Sequence, residues 1–350
     1  MSFTYSLTNL STGPAGVART IGSAAARSPA RFVRRAGQVG WDLVVSGLLD
    51  AIWPLKGRIL REAPGRASPA GGALGIYLHW SPTGIVSKMV LRQLALWHAA
   101  GFDMVFISNA KVPKLDWDAV ASHVLLRLQR ENTGLDFGGW RDGAALAVSR
   151  LGVPDELLLV NDSVLGPFHS LKPLVAAWRR GGAGLFGMTE SWIGGPHLQS
   201  YAVLARGAAV HEMLAHLADF RDRRSKWAVV RQGEIGLSGR MVQAGVPSAA
   251  LFGYERLCAL ADQATRRSLG PRFENPQAML RHPLNPTHHL WKVAVERMGF
   301  PYFKRELVMR NPGRLPGVED WPLLVPHAED VALIRDHLAV MQGRRMPLRV

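Results

Sequence analysis

The middle of the chain alternates short apolar runs with segments of helical periodicity. Apolar runs bounded by glycine or polar residues are typical of buried strands, whereas apolar residues spaced by three and four positions predict helices. Strands are predicted at Gly75–His79, Met104–Ser108, His123–Leu128, Glu156–Val160, Gly184–Met188 and Ser200–Ala205. Helices are predicted at Val86–His98, Trp117–Ser122 and Gly143–Leu151. Strands that alternate with helices indicate an α/β fold with a mainly parallel central sheet.

The segment that follows the third predicted strand is rich in glycine. It runs from Glu131 to Gly143 and combines four glycines with acidic and amide side chains, among them Asn132, Asp136 and Asp142. Glycine permits positive φ angles and a close approach of the backbone to a ligand. Because ligands of α/β sheets bind at the carboxyl ends of strands, we expect a binding loop here. A tight structural connection into the next helix is the alternative.

The fourth predicted strand is followed by the triplet Asn161-Asp162-Ser163. An acidic residue just past a buried strand is suited to a divalent metal that bridges a diphosphate, because such metals need hard oxygen ligands. Capping of a turn by Asp162 or Ser163 explains the same residues without a ligand. The triplet alone leaves both interpretations open.

Polar residues also follow the fifth predicted strand and open two later helices. A cluster suited to sugar hydroxyls and ring faces contains Thr189, Glu190, His197, Gln199 and Tyr201. Glu234 precedes a helix that reaches Ala244; it is a candidate general base, although the helix dipole also favours an acid there. The pair His288-His289 opens another helix and suggests a metal, but the sequence shows no third ligand beside it.

The charge and cysteine content narrow the classes of protein. The formal net charge of +15 fits nucleic acid, an anionic membrane surface or a phosphorylated substrate. We expect no nucleic-acid partner, because the tryptophans are scattered, no basic stripe runs between them and no nucleic-acid-binding motif is present. Cys258 is the single cysteine, which excludes an internal disulfide framework and fits a reducing, cytosolic setting.

The basic charge is concentrated at the amino-terminal end. Residues 1–70 hold nine Lys and Arg against three acids, and we expect a partly flexible segment there. Within it, Trp41–Leu60 is apolar but broken by Asp42, Asp50 and Pro54, so it predicts an interfacial helix on anionic lipid rather than a membrane span. A short helix packed on the core is the alternative. We expect a main domain at residues 71–312 and a helical extension at 313–350.

Taken together, these segments resemble the rhamnan synthesis F family of bacterial polysaccharide glycosyltransferases. The resemblance covers about residues 75–312. It rests on RENTGLDFGGW (Arg130–Trp140), LLLVNDSVLGPF (Leu157–Phe168), GLFGMTES (Gly184–Ser191), HLQSY (His197–Tyr201), GEIGLS (Gly233–Ser238), NPTHHLW (Asn285–Trp291) and KREL (Lys304–Leu307). It implies transfer of a sugar, typically rhamnose, from a nucleotide diphosphate donor to a surface glycan such as the lipopolysaccharide O-antigen.

The resemblance, with a layout similar to GT-A glycosyltransferases, also implies roles for residues. The donor would be bound by Asn109, Asn132, Gly134, Asp136, Phe137, Gly138, Asn161, Asp162 and Ser163. The acceptor would be bound by Thr189, Glu190, His197, Gln199 and Tyr201. Glu234 is the first candidate for the general base and Asp136 the second. Asp162 and His288 would hold Mg²⁺ or Mn²⁺.

One departure from the GT-A pattern concerns the metal. Asn161 stands where an Asp-x-Asp motif has its first acid, so Arg or Lys could supply the positive charge instead. The expected location is the cytoplasm, at the inner face of the cytoplasmic membrane, where a lipid-linked acceptor would be met. A non-catalytic membrane-surface component of a polysaccharide assembly complex is the alternative function.

Overall fold

The computed structural model describes residues 3–10 and 29–344, with backbone alone for residues 29–39. Its strands are β1 (Thr8–Asn9), β2 (Ile59–Pro64), β3 (Ala73–His79), β4 (Phe102–Ser108), β5 (Leu126–Arg130), β6 (Glu156–Asn161), β7 (Val164–Leu165), β8 (Gly184–Ser191), β9 (His197–Leu198), β10 (Ala202–Arg206), β11 (Ser248–Phe252) and β12 (Phe303–Lys304).

The helices lie between these strands and after them. They are α1 (Pro29–Ile52), α2 (Lys88–Ala99), α3 (Lys114–Val120), α4 (Leu135–Leu151), α5 (Lys172–Arg180), α6 (Ala208–Asp219), α7 (Lys226–Val230), α8 (Gly236–Gln243), α9 (Tyr254–Leu260), α10 (Gln263–Leu269), α11 (Pro276–Arg281), α12 (Pro286–His289), α13 (Trp291–Met298), α14 (Arg305–Arg310) and α15 (Ala328–Met341). Short 3₁₀ segments occur at Ala121–His123, Pro271–Glu274 and Val318–Leu324, and a π-helical segment at Arg231–Ile235.

A large mixed sheet is the centre of the fold. Its strand order is β1-β11-β8-β10-β6-β3-β4-β5-β2, with β9 paired to β8. Strands β11, β8, β6, β3, β4 and β5 run in one direction, because β6-β3-β4-β5 and β11-β8 pair in parallel and both β6 and β8 are antiparallel to β10. The prediction of an α/β fold with a mainly parallel sheet is confirmed. Strands β7 and β12 form a separate antiparallel pair.

Both faces of the sheet are covered by helices, which explains why its central strands read as continuous apolar runs. Successive side chains of a strand point to opposite faces. Thus Tyr77 of β3 belongs to one core, while its neighbours Ile76 and Leu78 belong to the other. The core on the Tyr77 side contains the stacked rings of Trp97 and Trp178, whose centroids lie 6.2 Å apart.

The glycine-rich segment after β5 differs from the prediction. Most of it was expected to form a binding loop, but α4 already begins at Leu135, so the prediction of a loop was wrong for residues 135–142, whereas the helix predicted at Gly143–Leu151 is confirmed. The alternative of a tight connection into a helix describes this part better. Gly139 lies against Leu78 and Gly143 against Ile107, and each would overlap that side chain if it carried a Cβ. These glycines therefore let α4 pack close to the sheet.

Residues before the main predicted domain also contribute to the sheet. Strand β2 pairs with β5 at one edge, and β1 pairs with β11 at the other. The helix predicted within Trp41–Leu60 is the end of α1, which finishes at Ile52, just before the helix-breaking Pro54. The division of the chain at residues 70 and 312 stays a prediction. Among the described residues, none of the helices combines the length and apolar character needed to cross a membrane.

The contact of α4 with the sheet can be tested at its glycines. We expect Gly143→Ala to lower the free energy of unfolding by about 1–3 kcal/mol, because the added methyl group displaces the buried Ile107 side chain. Gly239→Ala is the matched control: Gly239 lies in α8, where an added Cβ would have no atom within 4 Å, so alanine should stabilise by about 0.5–1 kcal/mol. Urea denaturation measures both, and equal effects would contradict the packing described.

Candidate active site

The carboxyl ends of β3, β4, β5 and β6 meet at one edge of the sheet, where polar side chains gather. Trp80 follows β3, Asn109 follows β4, Arg130 ends β5, and Asn161 and Asp162 stand at the end of β6. This edge is where the sequence predicted a ligand site, and it is where ligands of open α/β sheets bind.

A buried guanidinium organises this edge. Arg130 is 2% exposed; it donates from Nε to Asp142 Oδ2 at 2.9 Å and from Nη1 to Asn109 Oδ1 at 3.1 Å and to the Thr133 carbonyl at 2.9 Å. The Asn109 amide in turn donates to the Leu135 carbonyl at 3.1 Å. Leu135 has a φ of 49°, a conformation that costs energy for a residue with a side chain. The network thus fixes the strained turn that starts α4.

Asp222 secures the same turn from the opposite side. Its carboxylate accepts a hydrogen bond from Thr133 Oγ1 at 2.7 Å and lies 2.9 Å from Arg141 Nη1. Gly134 and Gly138 pack directly on this carboxylate, and a Cβ at either position would collide with it. Asp222 lies outside every motif recognised in the sequence. Two of the predicted donor-binding glycines therefore have a packing role in the structure.

One lysine joins the residues that follow β6 to those that follow β8. Asp136 Oδ2 accepts from Asn161 Nδ2 at 2.8 Å, and Asn161 Oδ1 accepts from the Ser163 backbone N–H at 3.0 Å. Lys304 Nζ donates to Ser163 Oγ at 2.9 Å and lies 4.9 Å from the centroid of the Tyr201 ring. Lys304 therefore connects predicted donor-binding residues with a predicted acceptor-binding residue.

The charges of this cluster influence each other. Burial raises the pKa of Asp136 to about 6, and the nearby Asp162 carboxylate adds to the rise. Burial lowers the pKa of Lys304 to about 8, while the carboxylates of Glu234 and Asp136 act in the opposite direction. Perturbed groups of this kind are concentrated at functional sites. A carboxylate and an ammonium group that both titrate near neutral pH suit proton transfer and anion binding.

Glu234 belongs to the helical region between β10 and β11. It lies in the π-helical segment Arg231–Ile235 between α7 and α8, a type of distortion that is frequent at functional sites. Its Oε1 accepts from the Ser200 backbone N–H at 3.0 Å, and its Oε2 lies 3.8 Å from His197 Nε2. The His197 ring is oriented by donation from Nδ1 to the Gly195 carbonyl at 2.7 Å. Glu234, the first candidate for the general base, is thus held beside His197 and Ser200, in the segment predicted to bind the acceptor.

The remaining acceptor-side predictions divide into two groups. Thr189 Oγ1 donates to Gln199 Oε1 at 2.8 Å and lies 2.7 Å from the Tyr201 hydroxyl, so these three side chains form one hydrogen-bonded group. Lys304 lies over the Tyr201 ring of this group. Glu190 is 1% exposed and its Oε1 accepts from the Tyr254 backbone N–H at 2.8 Å. This bond ties the end of β8 to the start of α9, so Glu190 serves the packing of the fold.

Asp162 is bound by the protein itself. Its Oδ1 accepts from Arg305 Nη1 at 2.9 Å and its Oδ2 accepts from the Trp80 backbone N–H at 2.9 Å. Burial is the largest single influence on the pKa of Asp162 and raises it, but the guanidinium of Arg305, two buried histidines and the Trp80 hydrogen bond together outweigh burial, so the pKa lies below its ordinary value. The carboxylate is therefore ionised and already neutralised by Arg305.

The predicted metal ligands do not assemble into a set. Burial, with the charge of Lys304, lowers the pKa of His288 to about 4, while the carboxylate of Glu306 acts in the opposite direction. Within residues 3–10 and 29–344, no three His, Cys, Asp or Glu side chains are grouped so that they could hold a metal ion. Since both oxygens of Asp162 are engaged as well, the divalent-metal prediction finds no ligand set here.

Two further donor-side predictions lie apart from the cluster. Phe137 is 2% exposed and packs in the core against Trp140 and Phe220. Asn132 is exposed in the turn after β5. Sequence reasoning missed Lys304 and Arg305 as site residues, although the KREL motif marked their position. Contacts across more than 100 residues bring them to the cluster, which no local pattern reveals.

The fold and the cluster define a mixed α/β protein with a charged polar site at the carboxyl edge of its sheet. The family model described as rhamnan synthesis protein F matches residues 104–284, which is more than half of the chain, and the chain belongs to this family. The matched residues include Asp136, Asn161–Ser163 and Glu234, whereas Lys304 and Arg305 lie outside them. Membership supports a role in rhamnan or other polysaccharide synthesis and confirms the resemblance.

One curated relative extends this comparison. The uncharacterized protein y4gN of Sinorhizobium fredii (strain NBRC 101917 / NGR234) is 27% identical over 209 residues, which are 58% of this chain and 54% of that protein. The chain thus spans about half the length of this relative.

The contacts by which Asp222 holds the turn before α4, here called the clamp, can be tested by substitution of Asp222. We expect Asp222→Ala to lower the free energy of unfolding by about 2–4 kcal/mol, because it removes a buried carboxylate from two guanidinium groups. Asp219→Ala is the matched control, since its carboxylate is 73% exposed and pairs with Arg240 at the surface; it should cost less than about 1 kcal/mol. Chemical denaturation measures both, and a small effect at Asp222 would contradict the clamp.

Proposed function

We propose that the protein is a GT-A-like glycosyltransferase that transfers a sugar, typically rhamnose, from a nucleotide diphosphate donor. The acceptor is a growing cell-surface glycan such as the lipopolysaccharide O-antigen. Family membership supports the setting of polysaccharide synthesis. The observation that carries the proposal is Lys304, whose ammonium group joins Ser163 on the donor side to Tyr201 on the acceptor side.

In this proposal, the positive charge for the leaving group comes from the chain. Lys304 is half-buried beside Ser163 and faces the carboxyl edge of the sheet, so its ammonium group can contact the diphosphate as the bond to the sugar breaks. Fixed charges aimed at developing negative charge are a large term in catalysis. Arg305 is paired with Asp162, which makes Asp162 a positioning residue for the guanidinium.

A carboxylate takes the proton of the acceptor hydroxyl. For transfer with inversion, the acceptor oxygen forms a bond to the anomeric carbon while the bond from that carbon to the diphosphate breaks, and the hydroxyl proton moves to the base. Glu234 and Asp136 are the two candidates. The raised pKa of Asp136 favours it, because a base of pKa about 6 is ionised at neutral pH and still accepts a proton well.

The site of action in this proposal is the inner face of the cytoplasmic membrane, on the cytoplasmic side. A lipid-linked acceptor would be met there. The support is the concentration of basic residues before residue 71, because anionic lipid headgroups attract such segments.

Replacement of Lys304 tests the transfer reaction. We expect Lys304→Met to lower kcat for transfer from nucleotide diphospho-rhamnose by more than about a hundredfold, since the leaving group loses its countercharge. Lys292→Met is the matched control, because Lys292 is exposed in α13, where it pairs with Glu296 one helical turn away. Product formation by mass spectrometry measures both variants.

Two outcomes would contradict the proposal in different ways. Full turnover by Lys304→Met would remove this lysine from the mechanism. Absence of donor binding to the wild-type protein in calorimetry, across a panel of nucleotide diphospho-sugars, would favour the non-catalytic component of an assembly complex instead.

The pH dependence tests the two titrating groups. We expect kcat/KM to rise with pH through about 6, as Asp136 loses its proton and becomes a base, and to fall through about 8, as Lys304 loses its charge. Asp136→Asn should abolish the acidic limb together with most of the activity. If this variant retained both activity and the limb near pH 6, the base would be Glu234 or another group.

A further inference from the structure

The helix α1 contacts the rest of the protein through its polar side. Asp50 Oδ1 accepts from Arg224 Nη1 at 2.6 Å, and Asp42 accepts from the Ser225 hydroxyl. Ser46 and Asp50 are buried, at 9% and 8% exposure. Residues spaced by four lie on one face of a helix, so Asp42, Ser46 and Asp50 form the stripe that packs on the segment after α6.

The opposite side of the same helix is apolar and faces outward. Trp41, Val44, Leu48 and Ile52 recur at helical spacing and are 72%, 58%, 60% and 63% exposed. Trp53, which follows the helix, is 64% exposed. A surface helix normally buries such a stripe against its own core. A contiguous exposed apolar stripe marks a surface that is covered by another molecule or a membrane.

We propose that this outward stripe inserts into the interfacial region of an anionic membrane, with α1 lying parallel to the bilayer. Charge selects the membrane as the occupant: Arg31, Arg34 and Arg35 lie in the first two turns of the helix, and residues 1–38 contain no acid. Helices that combine exposed Trp and aliphatic residues with an adjacent arginine cluster bind anionic lipid surfaces in this way.

Hydrogen bonds and an ion pair connect α1 and the segment just after it to the candidate site. The Gly57 backbone N–H, shortly after the helix, donates to Asp222 Oδ2 at 3.0 Å, and the same carboxylate accepts from Thr133 beside the turn that starts α4. The Asp50–Arg224 pair adds a second connection to this loop. The membrane-facing stripe is therefore held in a fixed relation to the site. This inference concerns a surface and does not depend on the reaction that the site performs.

Vesicle sedimentation of the 350-residue chain tests the proposal. Wild-type protein should sediment with phosphatidylcholine vesicles that contain phosphatidylglycerol, and far less with phosphatidylcholine alone. The combined variant Trp41→Ser, Leu48→Ser, Ile52→Ser should bind the anionic vesicles more than about a hundredfold more weakly, because three apolar side chains no longer enter the bilayer. Leu115→Ser with Leu323→Ser is the matched control, since these side chains are 76% and 82% exposed elsewhere, and its binding should match wild type.

A second variant removes positive charge outside the apolar stripe. It tests the proposal even if the serine substitutions disturb the folding of α1. Arg31→Gln, Arg34→Gln and Arg35→Gln together should weaken binding to the anionic vesicles at least about tenfold and flatten its dependence on salt. Circular dichroism should show that every variant keeps the wild-type helix content.

Three results would overturn the proposal. In the first, anionic vesicles fail to retain the wild-type protein at any salt concentration. In the second, the serine variant binds these vesicles as wild type does. In the third, sedimentation velocity finds a wild-type dimer that the serine variant converts to a monomer, without vesicle binding. A second copy of the chain would then cover the stripe.

Discussion

The buried guanidinium of Arg130 is the interaction on which the site edge of this fold depends. A charge out of contact with water is tolerated only when it is paired and hydrogen-bonded. Asp142 supplies the paired charge, and Asn109 and the Thr133 carbonyl accept further hydrogen bonds, with Asp222 close by. These partners lie just after β4, in the turn before α4, within α4 and in the loop after α6. One side chain therefore fixes the relative position of these parts of the fold. Asp136 lies in the first turn of α4, where they meet.

This arrangement explains why the glycine-rich motif has its composition. Gly134 and Gly138 leave room for the Asp222 carboxylate, and Gly139 and Gly143 let α4 approach β3 and β4. Sequence reasoning assigned these glycines to a ligand-binding loop because high glycine content permits both close packing and close ligand approach. In the structure these glycines contact protein and Asp136 reaches the polar cluster, while donor binding by Gly134 and Gly138 stays a prediction.

The central strands could be predicted because burial on both faces makes each of them a continuous apolar run. The edge strands β1 and β2 could not, since Thr8–Asn9 and Ile59–Pro64 are short or largely exposed and carry no such run. In the site, Asp136, Asn161 and Ser163 were predicted from their place after strands. Lys304 and Asp222 were not, because their role arises from contacts between residues far apart in the chain.

Lys304 connects the fold to the proposed chemistry. Arg305 pairs with Asp162, so its charge is already neutralised, whereas the ammonium group of Lys304 lies between Ser163 and Tyr201 and is the positive charge proposed to bind the diphosphate. The most direct test is calorimetric titration of the wild-type protein with a panel of nucleoside diphosphates, in EDTA and again with Mn²⁺. If Lys304 holds the diphosphate, at least one nucleotide binds in EDTA with an affinity within about tenfold of that in Mn²⁺, and Lys304→Met abolishes this binding. Binding that requires Mn²⁺ and survives Lys304→Met would contradict the account.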